Sequence, residues 1–185
     1  NAVLDGTDCV MLCSETSSGD FPLESLITMS QICRNAEGAM NYSVLHSFIR
    51  DFSAKPFNTL EAAAVALASS ASESNGVGLA IVFSNSGSAS MVVSKYRPAV
   101  PLLVVSSQAS TMSYASLVFG QKGMLVDEAA MADLSGADSQ VAKAIDWAKK
   151  AGLFYNKDAT RVAVLQGTNT LDTDNTALLR IVDSA

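Results

Sequence analysis

The sequence is poor in the residues that form metal sites and disulfide frameworks. Its 185 residues include three cysteines and one histidine. His46 therefore has no second histidine with which to form a zinc site, and Cys9, Cys13 and Cys33 follow no metal-ligand spacing. An odd number of cysteines without framework spacing favours reduced thiols in a cytoplasmic protein. We predict no metal site in this chain and a cytoplasmic location.

Positive charge and long apolar runs are also scarce. Lysine and arginine number 12 against 18 acidic residues, the net charge is −6, and no basic stripe is visible. No apolar run reaches the length of a membrane span, and the first residues lack the basic start and apolar middle of a signal peptide. We therefore expect neither a nucleic acid nor a membrane as a partner.

What the sequence does contain is enough apolar residues for a sizeable core, because 49% of residues are hydrophobic and 16% are charged. Apolar runs of strand length alternate with segments of helical spacing. Five such runs predict strands, at 79–83, 101–105, 123–126, 161–165 and 178–182. Near-continuous apolar strands between helices predict an α/β fold with a mostly parallel five-stranded sheet and helices on both faces. About a dozen residues without a helix separate the last two runs, which predicts an antiparallel last strand.

A strand–loop–helix unit comes before this alternating region. Residues 8–12 predict a short buried strand, and apolar residues at helical spacing predict a helix over 22–40 with Asp20 as its N-cap. The stretch 41–58 is less regular and predicts no element. Thr59 is a candidate cap for the helix that follows.

The loop after the strand 79–83 has the composition of a phosphate-binding turn. It consists of Ser84, Asn85, Ser86, Gly87 and Ser88, and it opens a helix. A glycine lets the backbone approach closely, the first N–H groups of a helix favour an anion, and serine hydroxyls add donors. It contains no lysine, so it is not a nucleotide P-loop. The alternative is a capped turn without a ligand, because serine commonly caps helices.

Two further hydroxyl-rich segments follow strands of the same predicted sheet. Ser106 and Ser107 follow the second strand, and 166–170 follow the fourth. Ligands of open parallel sheets bind beyond the carboxyl ends of the strands. Three hydroxyl-rich strand ends on one edge therefore predict a shared anion pocket.

Three segments of the chain match motifs of one enzyme family, in the order in which that family has them. Residues 1–24 closely resemble the last strand–helix unit of the family's catalytic barrel, which reads N-A-V-x-D-G-x-D-x-x-M-L-S-G-E-T-A-x-G-x-Y-P. Residues 93–101 are similar to the motif S-[RK]-Y-R-P-x-x-P, and 152–158 are similar to G-[FL]-x-x-x-G-D. The chain thus resembles the pyruvate kinases. The resemblance implies that 1–44 are the last β/α unit of a TIM barrel and that 45–185 are the C-terminal α/β domain.

The resemblance also implies the activity of the parent protein. Pyruvate kinase is a glycolytic phosphotransferase that moves a phosphoryl group from phosphoenolpyruvate to ADP, with Mg²⁺ and usually K⁺. The family's catalytic lysine and metal-binding carboxylates lie on earlier barrel strands, so we expect this chain alone to be inactive and to hold no cofactor. Mg²⁺ and K⁺ are expected in the parent enzyme. Glu15 matches a glutamate that lies close to the reacting groups, so it is an active-site neighbour.

An allosteric sugar-phosphate site is a further implication of the resemblance. In regulated members, the loop that matches 84–88 holds one phosphate. The family's second effector loop matches 167–175, which makes a second set of candidates of Gly167, Thr168, Asn169 and Thr170. That loop contains Asp172 and Asp174 and no basic residue, and carboxylates would repel a second phosphate. We therefore expect a monophosphate effector, such as a hexose monophosphate, and not fructose bisphosphate.

Subunit assembly is the alternative role. In the family this domain helps to build a tetramer, and its last strand lies near a subunit interface. The resemblance thus implies a homo-oligomer. On this interpretation the chain is a non-catalytic assembly domain with a vestigial effector pocket.

Overall fold

The chain folds into two compact units, Asn1–Asn41 and Tyr42–Ala185. The computed structural model describes residues 1–71, 75–156, 158–173 and 176–184. The assignment of 1–44 to a barrel unit and of 45–185 to a C-terminal domain stays a prediction.

The first unit contains two helices, α1 (Ser14–Ser17) and α2 (Pro22–Gly38). The predicted strand at 8–12 is wrong: these residues form no strand, and Cys9, Val10 and Met11 are exposed. A strand is stabilised by hydrogen bonds to neighbouring strands, and no strand lies among the described residues of this unit.

The start of α2 also differs from the prediction. Its N-cap residue is Phe21, and no side chain caps the helix, so the prediction of Asp20 as the cap is wrong. Pro22 occupies the first helical position, where the missing N–H costs no hydrogen bond.

The second unit begins with two helices, α3 (Tyr42–Phe52) and α4 (Thr59–Ser70). The prediction of an irregular stretch at 41–58 is therefore wrong for most of its length. The apolar residues of α3 lie on one face of the helix. They recur at the helical i, i+3, i+4, i+7 spacing, at Leu45, Phe48, Ile49 and Phe52. The sequence therefore contained a helix signal that the prediction missed, although Phe48 and Phe52 are exposed in this unit and His46 is buried.

The N-cap of α4 is one residue earlier than predicted. The Asn58 side chain accepts a hydrogen bond from the Glu61 N–H at 2.8 Å, and Thr59 is the first helical residue. The prediction of Thr59 as the cap is therefore wrong. Asparagine and threonine both cap helices, so composition alone did not decide between neighbours.

A five-stranded sheet forms the centre of the second unit, and its order is β3-β2-β1-β4-β5. The strands are β1 (Val77–Phe83), β2 (Leu102–Ser106), β3 (Gln121–Leu125), β4 (Arg161–Gln166) and β5 (Leu178–Asp183). The first four are parallel, and β5 is antiparallel to β4. The predicted fold class is confirmed, including the antiparallel last strand.

Helices cover both faces of this sheet. They are α4 and four later helices, α5 (Ser88–Lys95), α6 (Ala109–Ala115), α7 (Glu128–Ala132) and α8 (Ala137–Lys150). Alternate residues of β1 point to opposite faces: Ala80 and Val82 pack in a core cluster that includes residues of α4 and α5, whereas Ile81 packs in a cluster that includes residues of α8. Every residue of β1 is buried, which explains why its sequence is apolar throughout. None of the described helices is long and apolar enough to cross a bilayer.

Candidate functional site

Three segments meet at the carboxyl edge of the sheet. Because β1, β2 and β4 are parallel, the segments that follow them lie at the same edge. The serine loop (Ser84–Ser88) follows β1, Ser106 ends β2, and the β4–β5 loop (167–177) follows β4. The structure thus brings together the three segments that the sequence predicted for an anion pocket.

The serine loop is held in shape by its own hydroxyl groups. Ser84 is fully buried, and its Oγ accepts the Gly87 N–H at 3.0 Å. The exposed Ser86 accepts the Ser88 N–H at 3.1 Å and donates its hydroxyl to the Ser88 Oγ at 2.9 Å. The loop therefore presents two exposed hydroxyl groups at the start of α5.

Gly87 is the N-cap residue of α5 and has a φ of +80°. An L side chain rarely adopts this left-handed conformation, and a Cβ here would lie 3.2 Å from Thr111 Cγ2. The serine loop therefore requires glycine at this position.

Asn85 joins the serine loop to the end of β2. Its Oδ1 accepts hydrogen bonds from the Ser106 hydroxyl at 3.2 Å and from the Ser107 N–H and hydroxyl at 3.0 Å each. Its backbone carbonyl accepts the Thr111 hydroxyl at 2.5 Å. The Ser106 and Ser107 side chains thus position the serine loop, a role that sequence reasoning did not assign to them.

The β4–β5 loop also contacts the serine loop, through Asp172. The Asp172 Oδ1 accepts the Asn85 N–H at 3.1 Å. On one side of Asp172, the buried Leu171 donates its N–H to the Met131 carbonyl at 3.0 Å; on the other, the buried Thr173 donates its N–H and hydroxyl to the Phe83 carbonyl at 3.0 and 2.7 Å. The neighbours of Asp172 therefore hold its backbone next to the serine loop.

The four predicted residues of this loop lie at the same edge. The buried Gly167 donates its N–H to the Leu171 carbonyl at 2.9 Å, and a Cβ on it would lie 2.1 Å from the Asp172 carbonyl oxygen. Thr168, Asn169 and Thr170 are exposed. Asp174, the second predicted acidic residue, lies outside the described residues.

A cleft of 290 Å³ lies between the start of α8 and the strands β4 and β5. Gln166 lines it and is 2% exposed, and its Oε1 has no hydrogen-bond partner among the described residues. Arg180 donates from Nη1 to the Asp138 Oδ1 at 2.8 Å, whereas its buried Nε and Nη2 have no partner within the described chain. The sequence had placed Arg180 within an apolar strand and gave no signal for this cleft.

Glu15, the predicted active-site neighbour, lies in the first unit at the start of α1. Its pKa is lowered, chiefly by a hydrogen bond to its own backbone N–H and also by the Cys13 N–H, which donates to Oε2 at 3.0 Å. The exposed carboxylate thus stabilises the first turn of α1. Its role beside reacting groups stays a prediction.

The residues considered for metal binding are dispersed. Within the described parts of the chain, no group of three or more potential metal ligands occurs. His46 Nδ1 lies 3.1 Å from the Tyr96 carbonyl oxygen and Nε2 lies 2.9 Å from the Ser69 Oγ, so both ring nitrogens have structural contacts. Cys9 and Cys13 are exposed free thiols, and Cys33 is half-buried.

Comparison with known proteins identifies the family. The family model described as "Pyruvate kinase, alpha/beta domain" matches residues 61–182, which include the whole sheet except the last residue of β5. This chain belongs to the pyruvate kinase family. A curated pyruvate kinase from Dictyostelium discoideum is 35% identical over 170 residues, and one from Agaricus bisporus is 41% identical over 111 residues. The alignments cover 90% and 60% of this chain, but 32% and 21% of those proteins.

Solved pyruvate kinase structures have the same fold. A crystal structure of a pyruvate kinase from Cryptosporidium parvum matches all of this chain with a TM-score of 0.86 at 28% identity. A structure of Cryptosporidium parvum pyruvate kinase in complex with ADP matches with a TM-score of 0.83 at 27% identity. This chain covers 34% and 35% of those two structures, so it spans about a third of their length.

Proposed function

We propose that this chain is the C-terminal part of a cytoplasmic pyruvate kinase and that it carries the allosteric effector site and subunit contacts of that enzyme. The observation that carries the proposal is the family match over 61–182, because it coincides with the sheet whose carboxyl edge holds the serine loop. The parent enzyme would transfer a phosphoryl group from phosphoenolpyruvate to ADP in glycolysis. Mg²⁺ and K⁺ would be bound in the parent enzyme by residues outside this chain.

The chain by itself is expected to lack kinase activity. Phosphoryl transfer requires metal ions and cationic groups held around the phosphates. The first unit offers Glu15 alone from the family's active-site motif, and a segment the length of one β/α unit cannot close a barrel. A coupled assay of pyruvate formation should give background turnover, with an intact pyruvate kinase as the positive control. Turnover by this chain above that background would contradict the proposal.

The serine loop is the proposed phosphate site. Ser86 and Ser88 expose their hydroxyl groups at the N-terminus of α5, where the helix dipole favours an anion. Asp172 lies at the same loop, so a ligand with a second phosphate group would bring more negative charge close to a carboxylate. The site therefore favours a hexose monophosphate over fructose bisphosphate.

Titration calorimetry with glucose 6-phosphate and fructose 1,6-bisphosphate tests this proposal. The monophosphate should bind more tightly, and the double variant Ser86→Ala/Ser88→Ala should weaken its binding by about tenfold or more, because hydrogen bonds to charged groups contribute about 1.5–3 kcal/mol. Ser113→Ala is a matched control, since Ser113 is exposed on α6 and donates to the Ala109 carbonyl of its own helix. Tighter binding of the bisphosphate would contradict the proposal.

A vestigial pocket in an assembly domain is the second candidate function. Two observations favour it. The N–H groups of Asn85, Gly87 and Ser88 already have acceptors within the protein. In addition, β5 is an edge strand on which Leu178 and Ile181 are 43% and 50% exposed. Because an open edge strand can pair with a second copy, light scattering should detect a dimer or larger species. A monomer at high concentration would argue against this role.

A further inference from the structure

We propose that Asp172 is a built-in anion that occupies the serine loop and sets its ligand specificity. A phosphorylated ligand would then bind only by displacing this carboxylate from the Asn85 N–H. The inference rests on the proposed effector site and adds the mechanism by which that site rejects or accepts a ligand.

The hydrogen bond between Asp172 and Asn85 is the basis of the inference. The Asp172 Oδ1 lies 3.1 Å from the Asn85 nitrogen. Asn85 lies in the serine loop, two residues before the N-cap of α5. Backbone N–H groups of such loops can bind phosphate oxygens, and a carboxylate oxygen is an equivalent charged acceptor. Asp172 therefore takes a donor that a ligand phosphate would otherwise use.

The position of this carboxylate is built into the fold. Leu171 is fully buried and Thr173 is 1% exposed, and both are hydrogen-bonded to backbone carbonyls of other elements. Gly167 allows the loop to turn back on itself, because the Asp172 carbonyl oxygen would lie 2.1 Å from a Cβ at that position. The backbone on both sides of Asp172 is thus fixed, and its side chain can leave the serine loop only by rotating.

The serine loop is also fixed in the conformation that meets Asp172. Asn85 is anchored to Ser106 and Ser107 through its Oδ1 and to Thr111 through its carbonyl group. Its N–H direction is therefore set by the sheet and does not depend on a ligand. The two anchored segments meet at this contact, and a phosphate at this N–H would lie against a like charge.

The consequence is a selective site with a low affinity for simple anions. Inorganic phosphate carries its O–H groups on the charged phosphorus itself, so it must bring its negative charge directly against the carboxylate that it displaces. A sugar phosphate also offers hydroxyl groups, which can donate to the displaced carboxylate. The ligand class that fits is a phosphate monoester with neighbouring hydroxyl groups.

The decisive variant is Asp172→Asn, which keeps the shape of the side chain and an oxygen acceptor for Asn85 but removes the charge. Asp183→Asn is the matched control, because it removes the same charge from the opposite edge of the sheet, where Asp183 lies beside Arg161 in the register of β4 and β5. Each protein is titrated calorimetrically with inorganic phosphate and with glucose 6-phosphate at one ionic strength, so that screening is constant.

The expected result is that Asp172→Asn binds inorganic phosphate about tenfold more tightly than the unmodified chain, whereas Asp183→Asn changes the affinity less than twofold. The gain for glucose 6-phosphate should be smaller, because its hydroxyl groups lose the carboxylate as an acceptor. Equal affinities of Asp172→Asn and the unmodified chain would overturn the inference and leave the effector site standing. Binding to none of the proteins would overturn both.

A second measurement does not depend on ligand binding. In an amide NMR spectrum without phosphate, Asp172→Ala should shift the Asn85 resonance, because its N–H loses a charged acceptor. The resonances of Val162 and Ala163, the second and third residues of β4, should stay in place and thereby verify the fold. An unchanged Asn85 resonance in a folded variant would overturn the inference.

Discussion

At the scale of single residues, the serine loop depends on a backbone conformation that one residue supplies. Gly87 has a φ of +80° and caps α5, with Thr111 packed close to it. The amide directions of the loop follow from this conformation. A substitution at Gly87 therefore tests how much the stability of the fold depends on this loop conformation.

Gly87→Ala should lower the free energy of unfolding by about 1–2 kcal/mol, because an alanine in the left-handed region is strained. Its Cβ would also lie 3.2 Å from Thr111 Cγ2. Urea denaturation monitors the loss. Gly38→Ala is the control: Gly38 ends α2, and a methyl group added there would have no atom within 4 Å, so its change should be neutral or stabilising by up to about 1 kcal/mol. Equal losses in both variants would contradict this account of Gly87.

Residue-level contacts were the least predictable part of the site. The serine content of 84–88 indicated hydrogen-bond donors, but not that Ser84 and Ser86 would accept the N–H groups of their own loop. The contact between Asn85 and Asp172 joins residues that are 87 positions apart. Only the folded sheet brings them together, so no local pattern could have revealed it.

At the scale of elements, the sequence does not decide where a helix begins when two neighbouring residues both have capping side chains. The Asn58 side chain accepts the Glu61 N–H at 2.8 Å, although the neighbouring Thr59 also has a capping side chain. Asn58 caps the helix, whereas Thr59 is its first helical residue. Separate alanine substitutions can measure how much each side chain contributes to the free energy of unfolding.

Asn58→Ala should lower the free energy of unfolding by about 1 kcal/mol, since a lost N-cap leaves the first N–H groups of α4 to water. Thr59→Ala should change it by less than about 0.5 kcal/mol, because the first helical position makes no cap bond. Thermal or urea unfolding of both variants measures the difference. A larger loss for Thr59→Ala would contradict the assignment of the cap to Asn58.

Strands whose residues are all buried were predicted well. All seven residues of β1 are buried, so its apolar run was a clear strand signal. The helix α3 was missed although its apolar residues follow the spacing of one helical face. The run 8–12 was wrongly predicted because an apolar strand pattern needs partner strands to form a strand. Local composition therefore predicted the strands of the sheet, including the partly exposed β3 and β5, and failed at 8–12, where a strand would need partners.

At the scale of the whole molecule, the parallel order of β1, β2 and β4 is what creates the site. It places the polar ends of three strands at one edge of the sheet. Because β5 is antiparallel to β4, the loop that joins them lies at the same edge. The sheet order could not be derived from the apolar runs, but the type of fold could. The sequence therefore predicted the anion pocket and an acidic loop beside it, but not the hydrogen bond from the Asn85 N–H to Asp172.

The most direct test of the central claim is an amide NMR titration of this chain with glucose 6-phosphate. The account predicts saturable shifts at Asn85, Gly87 and Ser88, at the carboxyl edge of the sheet, and no shift at Asp183 on the opposite edge. Saturation without change in the serine loop, or shifts confined to the opposite edge, would contradict the claim that this pyruvate kinase domain binds a sugar phosphate at its serine loop.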